Sequence, residues 1–209
     1  MSTPTPTVGN RPATYAIIGS GNIGSALARI LTRAGIALSI ATKSGPASLR
    51  PIVEELGDTV VAKSLEAAVD ADIVFLAIPF ATVEAFGKIR NDWSGKIIID
   101  ATNAYGVTPE YLAGRLSSDI VIGAFPGATV VKAFNYLPAR VLARDPSQDG
   151  GRRVMFVAGN DDGANATVVA VAERLGFAPI LLGHIGEGGA LLNLAAPLLL
   201  HNLVEFPMN

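Results

Sequence analysis

The segment AIIGSGNIGSALARIL, which begins at Ala16, constrains the fold of this chain more than any other. It sets Gly19, Gly21 and Gly24 in GxGxxG spacing, directly after a short apolar run at 14–18 and directly before a helical pattern. In that pattern Ile23, Ala26, Leu27, Ile30 and Leu31 fall on one face, and Gly35 ends it. Strand, glycine turn and amphipathic helix in this order open a βαβ unit. Gly19 permits the tight turn, Gly21 leaves the backbone bare for a pyrophosphate to approach, and Gly24 lets the helix pack closely on the strand. The helix tip adds unpaired N–H groups and the positive end of its dipole, both suited to phosphate. Gly19, Gly21 and Gly24 are therefore candidate dinucleotide-binding residues.

Beyond this unit the chain alternates short β-rich runs with helical patterns. The patterns predict strands over 14–18, 37–41, 59–62, 73–77, 96–100, 130–133, 154–158 and 178–181. They predict helices over 22–34, 47–56, 64–69, 81–90 and 162–175. The strand runs are apolar without alternation, which calls for helices on both faces of the sheet. The expected fold class is α/β, a doubly wound, mostly parallel sheet of Rossmann type in a single domain. Residues 1–13 read as a disordered Pro/Thr-rich tail and 14–183 as the dinucleotide-binding domain. Residues 184–209 read as a short C-terminal helical tail, and 143–153 as an internal loop.

Several function classes are excluded by composition. The 209 residues include no cysteine and two distant histidines, so neither thiolate chemistry, a structural zinc nor any other metal site is expected. A net charge of −2 without a basic, aromatic-rich patch argues against nucleic acid as a partner. The apolar stretch at 191–204 is broken by Asn193, Pro197 and His201 and falls short of the roughly 20 residues a membrane span needs. The first residues lack the pattern of a secretory signal, so no membrane association and a cytoplasmic location are expected. Half of the residues are hydrophobic and only 16% charged, which favours self-association, most simply as a homodimer.

The choice between NAD and NADP is made after the second strand, where an Asp or Glu would hold the ribose hydroxyls of NAD. That stretch reads ATKSG, and no acidic residue precedes Glu54. Arg29, Arg33, Lys43 and Arg50 all lie in the same unit. Thr42, Lys43 and Ser44 offer two hydroxyls and an ammonium, which suits a 2′-phosphate and makes NADP the expected cofactor. Taken alone Lys43 also reads as a solvated loop lysine; the missing carboxylate carries more weight.

Ligands of doubly wound sheets lie beyond the carboxyl ends of the strands, where strand order reverses. Ala77, Ile78 and Pro79 end the fourth strand, Thr102 and Asn103 follow the fifth, and Asn135 follows the sixth, so these are candidates for the nicotinamide end. Pro79 also reads as a strand stop, Asn103 as a turn residue and Asn135 as a helix cap; their shared location favours the ligand role. Catalytic residues are not assigned. Lys132 faces either way, Asp100 reads as a strand-end residue, Asp161 and Asp162 as a helix N-cap pair, and His184 and His201 as structural. A site without a strong acid or base suits hydride transfer between two redox cofactors better than carbonyl reduction.

The segments IGSGNIGSALARIL, SGPASL, FLAIPF, IIDATN, VVKAFNYLPA and VAGNDD together resemble the NADP oxidoreductase, coenzyme F-420-dependent family, a likeness running from about Tyr15 to Val204. The same pattern occurs in the reductase domain of the STEAP metalloreductases. The resemblance implies NADP on the glycine loop, where Ser20, Asn22 and Ile23 join the phosphate contacts, with Thr42 and Lys43 at the 2′-phosphate and Ile78 and Pro79 beside the nicotinamide. It also implies a tail from Gly183 that closes the acceptor pocket and forms a homodimer. Lys43 and Ser44 stand where relatives often place Ser-Arg, and Asn135 stands where deazaflavin enzymes carry a histidine. The expected function is an NADPH-dependent oxidoreductase passing hydride between NADP(H) and a flavin, a deazaflavin or another small acceptor. The alternative is a non-catalytic NADP-binding redox sensor or regulatory module.

Overall fold

In the computed structural model, which describes residues 7–8 and 11–208, every predicted strand is present. The strands are β1 (Tyr15–Ile18), β2 (Leu38–Ala41), β3 (Val60–Ala62), β4 (Ile73–Leu76), β5 (Ile97–Asp100), β6 (Thr129–Ala133), β7 (Gly151–Gly159) and β8 (Ala178–Leu181). They lie in one sheet in the order 3-2-1-4-5-6-7-8. The first six run parallel, β7 is antiparallel to β6, and β8 is parallel to β7. Successive residues of a strand feed opposite faces. Tyr15 and Ile17 of β1 and Ile73 and Phe75 of β4 join one apolar cluster, while Ala16, Ile18, Val74 and Leu76 join the other. Both clusters are covered by helices, which is why the strands are apolar throughout.

Helix α1 (Asn22–Arg33) buries Ala26, Leu27, Ile30 and Leu31 on the first cluster and stops at Gly35, whose φ of 67° continues the chain in the left-handed region. Helix α2 (Arg50–Leu56) extends a 3-10 turn at Pro46–Leu49, α3 (Leu65–Ala68) is capped by Ser64, and α4 (Val83–Gly87) follows a 3-10 turn at Phe80–Thr82. Three helices escape the sequence patterns, α5 (Pro109–Leu112), α6 (Ser117–Ala124) and α7 (Ala139–Leu142). Helices α5 and α7 are single turns, too short for a helical period to show, and α6 buries Ser117 and Ser118 along with Ile120 and Val121, so it carries no clean apolar stripe. Helix α8 (Asp162–Arg174) crosses from β7 to β8, and Asp161 caps it by accepting the Ala164 N–H at 2.8 Å.

Two expectations need correction. The stretch 143–153 is not only loop: Ser147–Gln148 pairs antiparallel with the start of β7, turning through Asp149 and Gly150, both at positive φ. The tail at 184–209 is not α-helical among the described residues. It holds a 3-10 turn at Gly189–Leu192, then wraps back so that Val204–Glu205 pairs antiparallel with Arg152 and Arg153 of β7. Pro197 lacks the N–H a helix needs there, and Ala195 and Leu200 sit at φ 65° and 64°. Of the tail at 1–13, residues 1–6, 9 and 10 lie outside the described residues, whereas Thr7–Val8 pairs with Arg11–Pro12. Arg11 is then fixed to Asp72 by two hydrogen bonds of 2.7 and 2.8 Å. Among the described residues no helix is long and apolar enough to cross a membrane.

Candidate functional site

Strand order reverses between β1 and β4, and the glycine turn leaves β1 at that point. The Gly19 N–H bonds the Ala41 carbonyl at 2.8 Å and the Ala77 N–H bonds the Ile18 carbonyl at 2.9 Å, so the ends of β1, β2 and β4 hold the turn from both sides. The three glycines are there for different reasons. Gly19 has φ 107°, and a Cβ on it would collide with the Ala77 carbonyl oxygen. A Cβ on Gly24 would collide with the Gly19 carbonyl oxygen, so these two glycines are demanded by the protein's own packing. Gly21 is demanded by neither conformation nor packing: φ is −70°, ψ is −168°, and a Cβ there meets nothing within 4 Å. The bare surface at Gly21 is a cradle that a side chain would fill. Gly21 also caps α1 without any side-chain bond to the first N–H groups, which leaves the helix tip open to an anion.

Above this turn lies a cavity of about 560 Å³ walled by Gly19, Ser20 and Gly21, by Thr42 and Lys43, and by Ala77, Ile78 and Pro79. Its far side is Leu65, Thr82, Ala85 and Phe86, which the sequence reading missed. Lys43 is the charged residue of this wall, and no carboxylate lines it. The other cations of the unit are committed elsewhere. Arg29 grips Glu55 with bonds of 2.7 and 2.8 Å, Arg50 pairs with Glu54 at 3.8 Å, and Arg33 donates to the Ala143 and Arg144 carbonyls at 3.1 and 3.0 Å. Ser44 is exposed and off the wall. The loop turns sharply, with the Gly45 N–H on the Thr42 carbonyl at 3.0 Å and Gly45 at φ 78°.

A narrower cavity of about 210 Å³ adjoins it across Ala77, Ile78 and Pro79, and is completed by Ile23, Phe80, Ala101, Thr102, Asn103 and Tyr105. Here most of the expected polar groups are engaged within the chain, although Asn135 Oδ1 is buried without a partner among the described residues. The Thr102 hydroxyl donates inward to Asp100 Oδ1 at 2.6 Å. The Asn103 amide donates to the Asn135 carbonyl at 2.7 Å, and the Asn135 amide donates to Asn103 Oδ1 at 3.0 Å and to the Leu192 carbonyl at 2.8 Å. Asn135 is buried behind the cavity and lines neither space. It clasps the tail to the strand ends instead, because a buried amide between two backbone segments bonds whatever carbonyls face it. The slot that remains is mainly apolar.

Beneath its floor, Lys132 turns inward and its ammonium meets Asp100 Oδ2 at 2.9 Å and the Thr102 carbonyl at 3.2 Å, with both charged side chains fully buried. Register places Asp100 opposite Lys132 on β5 and β6, a pairing that single-strand patterns do not show. Asn22 faces a third cleft of about 610 Å³ beside Ser25, Arg29 and Arg140, and Gly24 lies buried under the turn. His184 and His201 are exposed and line none of these spaces. In the two adjoining cavities the titratable side chains are Lys43 and Tyr105.

A parallel sheet ordered 3-2-1-4-5-6, with a glycine turn feeding a helix tip at the reversal point, defines a Rossmann-type dinucleotide-binding fold. Residues 14–104 match the family model described as NADP oxidoreductase coenzyme F420-dependent, and over this segment the chain is similar to that family. The chain is 30% identical over 200 residues to metalloreductase STEAP2 of Mus musculus, covering 95% of this chain and 38% of that protein. It thus spans well under half the length of the curated relatives it matches. A hypothetical protein of Sinorhizobium meliloti has a solved structure that superposes with TM-score 0.88 at 45% identity, covering 92% of this chain and 96% of that one. A candidate F420-dependent NADP-reductase from Arthrobacter sp. FB24 superposes with TM-score 0.69 at 25% identity, covering 86% of this chain and 90% of that one.

Proposed function

We propose that the chain is an NADPH-dependent oxidoreductase that passes hydride between NADP(H) and a small acceptor, a flavin or deazaflavin foremost. The observation that carries this reading is Gly21, a glycine required by no contact among the described residues and facing the cavity that Lys43 shares. Gly19, Ser20 and Gly21 would receive the pyrophosphate, Thr42 and Lys43 the 2′-phosphate, and Ile23, Ile78 and Pro79 would flank the nicotinamide. NADP supplies the hydride chemistry when bound. The chain's part is to orient the ring in an apolar slot and keep water from it. The family's description names NADP, and the mainly apolar slot fits an acceptor that needs no protein acid. The wrapped tail, pinned to Asn135 by the Leu192 carbonyl, would border the acceptor's entrance. Its exposed Leu191, Leu194, Leu200, Leu203 and Phe206 fit the contact face of a homodimer.

A second reading, a non-catalytic NADP-binding redox sensor or regulatory module, is favoured by a lining that holds no carboxylate and no histidine. Loss of NADPH absorbance with riboflavin, FMN, menadione or the deazaflavin separates the two. Steady turnover with at least one ring acceptor is expected; tight NADPH binding with no turnover on any of them would replace the enzyme reading by the sensor.

A further inference from the structure

We infer that Tyr105 is the platform on which a planar, conjugated acceptor stacks, and that it selects ring acceptors for this site. The inference rests on the hydride-transfer reading above and adds to it the residue that meets the acceptor.

Tyr105 lines the narrow cavity beside Pro79 and Asn103, yet 57% of it is exposed, so one part of the ring faces the slot and the rest stands at the mouth. Phe80, the other aromatic residue of this wall, is 2% exposed and belongs to the core. The Tyr105 hydroxyl makes no hydrogen bond within the described chain, unlike Tyr111, whose hydroxyl holds Glu84 at 2.6 Å, and Tyr136, whose hydroxyl holds the Val154 carbonyl at 2.5 Å.

The backbone under Tyr105 is nonetheless firmly set. Its N–H bonds the Asn103 carbonyl at 2.7 Å, Gly106 turns the chain away at φ 75°, and Asn103 is clasped by Asn135. A rigid pedestal carrying an exposed aromatic ring is wasteful for folding and useful for stacking, since an open π-face attracts another conjugated ring in offset geometry.

The chemistry closes without a proton from the protein. The C4 hydride of NADPH moves with its electron pair to N5 of a flavin, or to C5 of a deazaflavin. NADP+ and the anionic reduced ring result, and any later proton comes from solvent. Tyr105 would hold the acceptor ring against the slot while this occurs; its hydroxyl would take no part.

The test is a titration of the NADP+-loaded chain with riboflavin, read by quenching of flavin fluorescence on stacking, for the wild type, Tyr105→Phe and Tyr105→Ala. The wild type and Tyr105→Phe are expected to bind alike, because both keep the ring, and Tyr105→Ala to bind about tenfold more weakly. NADPH affinity, measured by calorimetry, is expected to stay within about twofold in all three. Unchanged riboflavin affinity in Tyr105→Ala would overturn the platform, and so would an equal loss of NADPH affinity, which would put Tyr105 on the cofactor's side. Wild-type protein that binds NADPH but no riboflavin, FMN or deazaflavin would also overturn it while leaving the cofactor site intact. Protein that binds no NADPH would instead remove the underlying reading.

Discussion

Gly24 packs directly beneath Gly19, so closely that a Cβ on Gly24 would occupy the space of the Gly19 carbonyl oxygen. The helix that offers its tip to the cavity is thereby locked to the strand end that shapes the turn. Gly21, two residues after Gly19, makes no such contact. The two kinds of glycine therefore answer different experiments. Gly24→Ala is expected to lower stability by about 2–4 kcal/mol through overpacking against backbone. Gly21→Ala is expected to leave the denaturation midpoint unchanged or slightly raised, since alanine restricts the unfolded chain. The same variant should weaken NADPH and NADH alike, at least tenfold by calorimetry. Normal cofactor affinity in Gly21→Ala would remove the reason given for that glycine.

Lys43 is the single charge on the wall of the larger cavity, because Arg29 and Arg50 are engaged by glutamates and Arg33 by backbone carbonyls. Lys43→Ala should therefore weaken NADPH binding about tenfold to a hundredfold and leave NADH within about twofold, the extra phosphate being the only group that feels the change. Equal losses for both cofactors would show that Lys43 is not at the 2′-phosphate.

The Asp100–Lys132 pair is fully buried, and truncating one partner strands the other. Lys132→Met is expected to cost about 3–5 kcal/mol in urea denaturation, and Asp100→Leu combined with Lys132→Met to recover most of it. A double variant no more stable than the single one would mean that the hydrogen bonds to Thr102, rather than the charge, hold this floor.

Asp72 accepts from the Arg11 guanidinium and from both the backbone N–H and the hydroxyl of Thr14, bonds that hold its carboxyl well below the usual carboxylate range despite its burial. A depressed folded-state value means that its stabilising effect is present above the ordinary carboxylate pKa and is lost as pH falls through that range toward the folded value. Asp72→Asn should cost about 1–2 kcal/mol near neutrality, moderated because Arg11 is open to solvent, and progressively less below about pH 4. A destabilisation that does not shrink on acidification would contradict this.

Much of the fold was legible because its signals are local. Apolar runs such as those over Ile73–Leu76 and Ala178–Leu181 are short and cleanly bounded, and the glycine turn announces both its strand and its helix. What the sequence hid depends on partners far along the chain. Nothing in VVKAFNYLPA says that Lys132 meets Asp100, or that the Asn135 amide N–H groups go to Asn103 and the Leu192 carbonyl. The tail misread as helical takes its course from pairing with β7 across some fifty residues, which local periodicity does not encode. Tyr105 carries no sequence signal of its own, because an aromatic residue in a Gly-bounded loop resembles any surface tyrosine and only the cavity beside it sets it apart.

The central claim is that the glycine turn and the acid-free loop after β2 bind NADP in preference to NAD. Calorimetric titration of the purified chain with NADP+ and with NAD+ tests it most directly. One NADP+ per chain, bound at least about tenfold more tightly than NAD+, is the predicted result; affinity for neither, or tighter binding of NAD+, would contradict it.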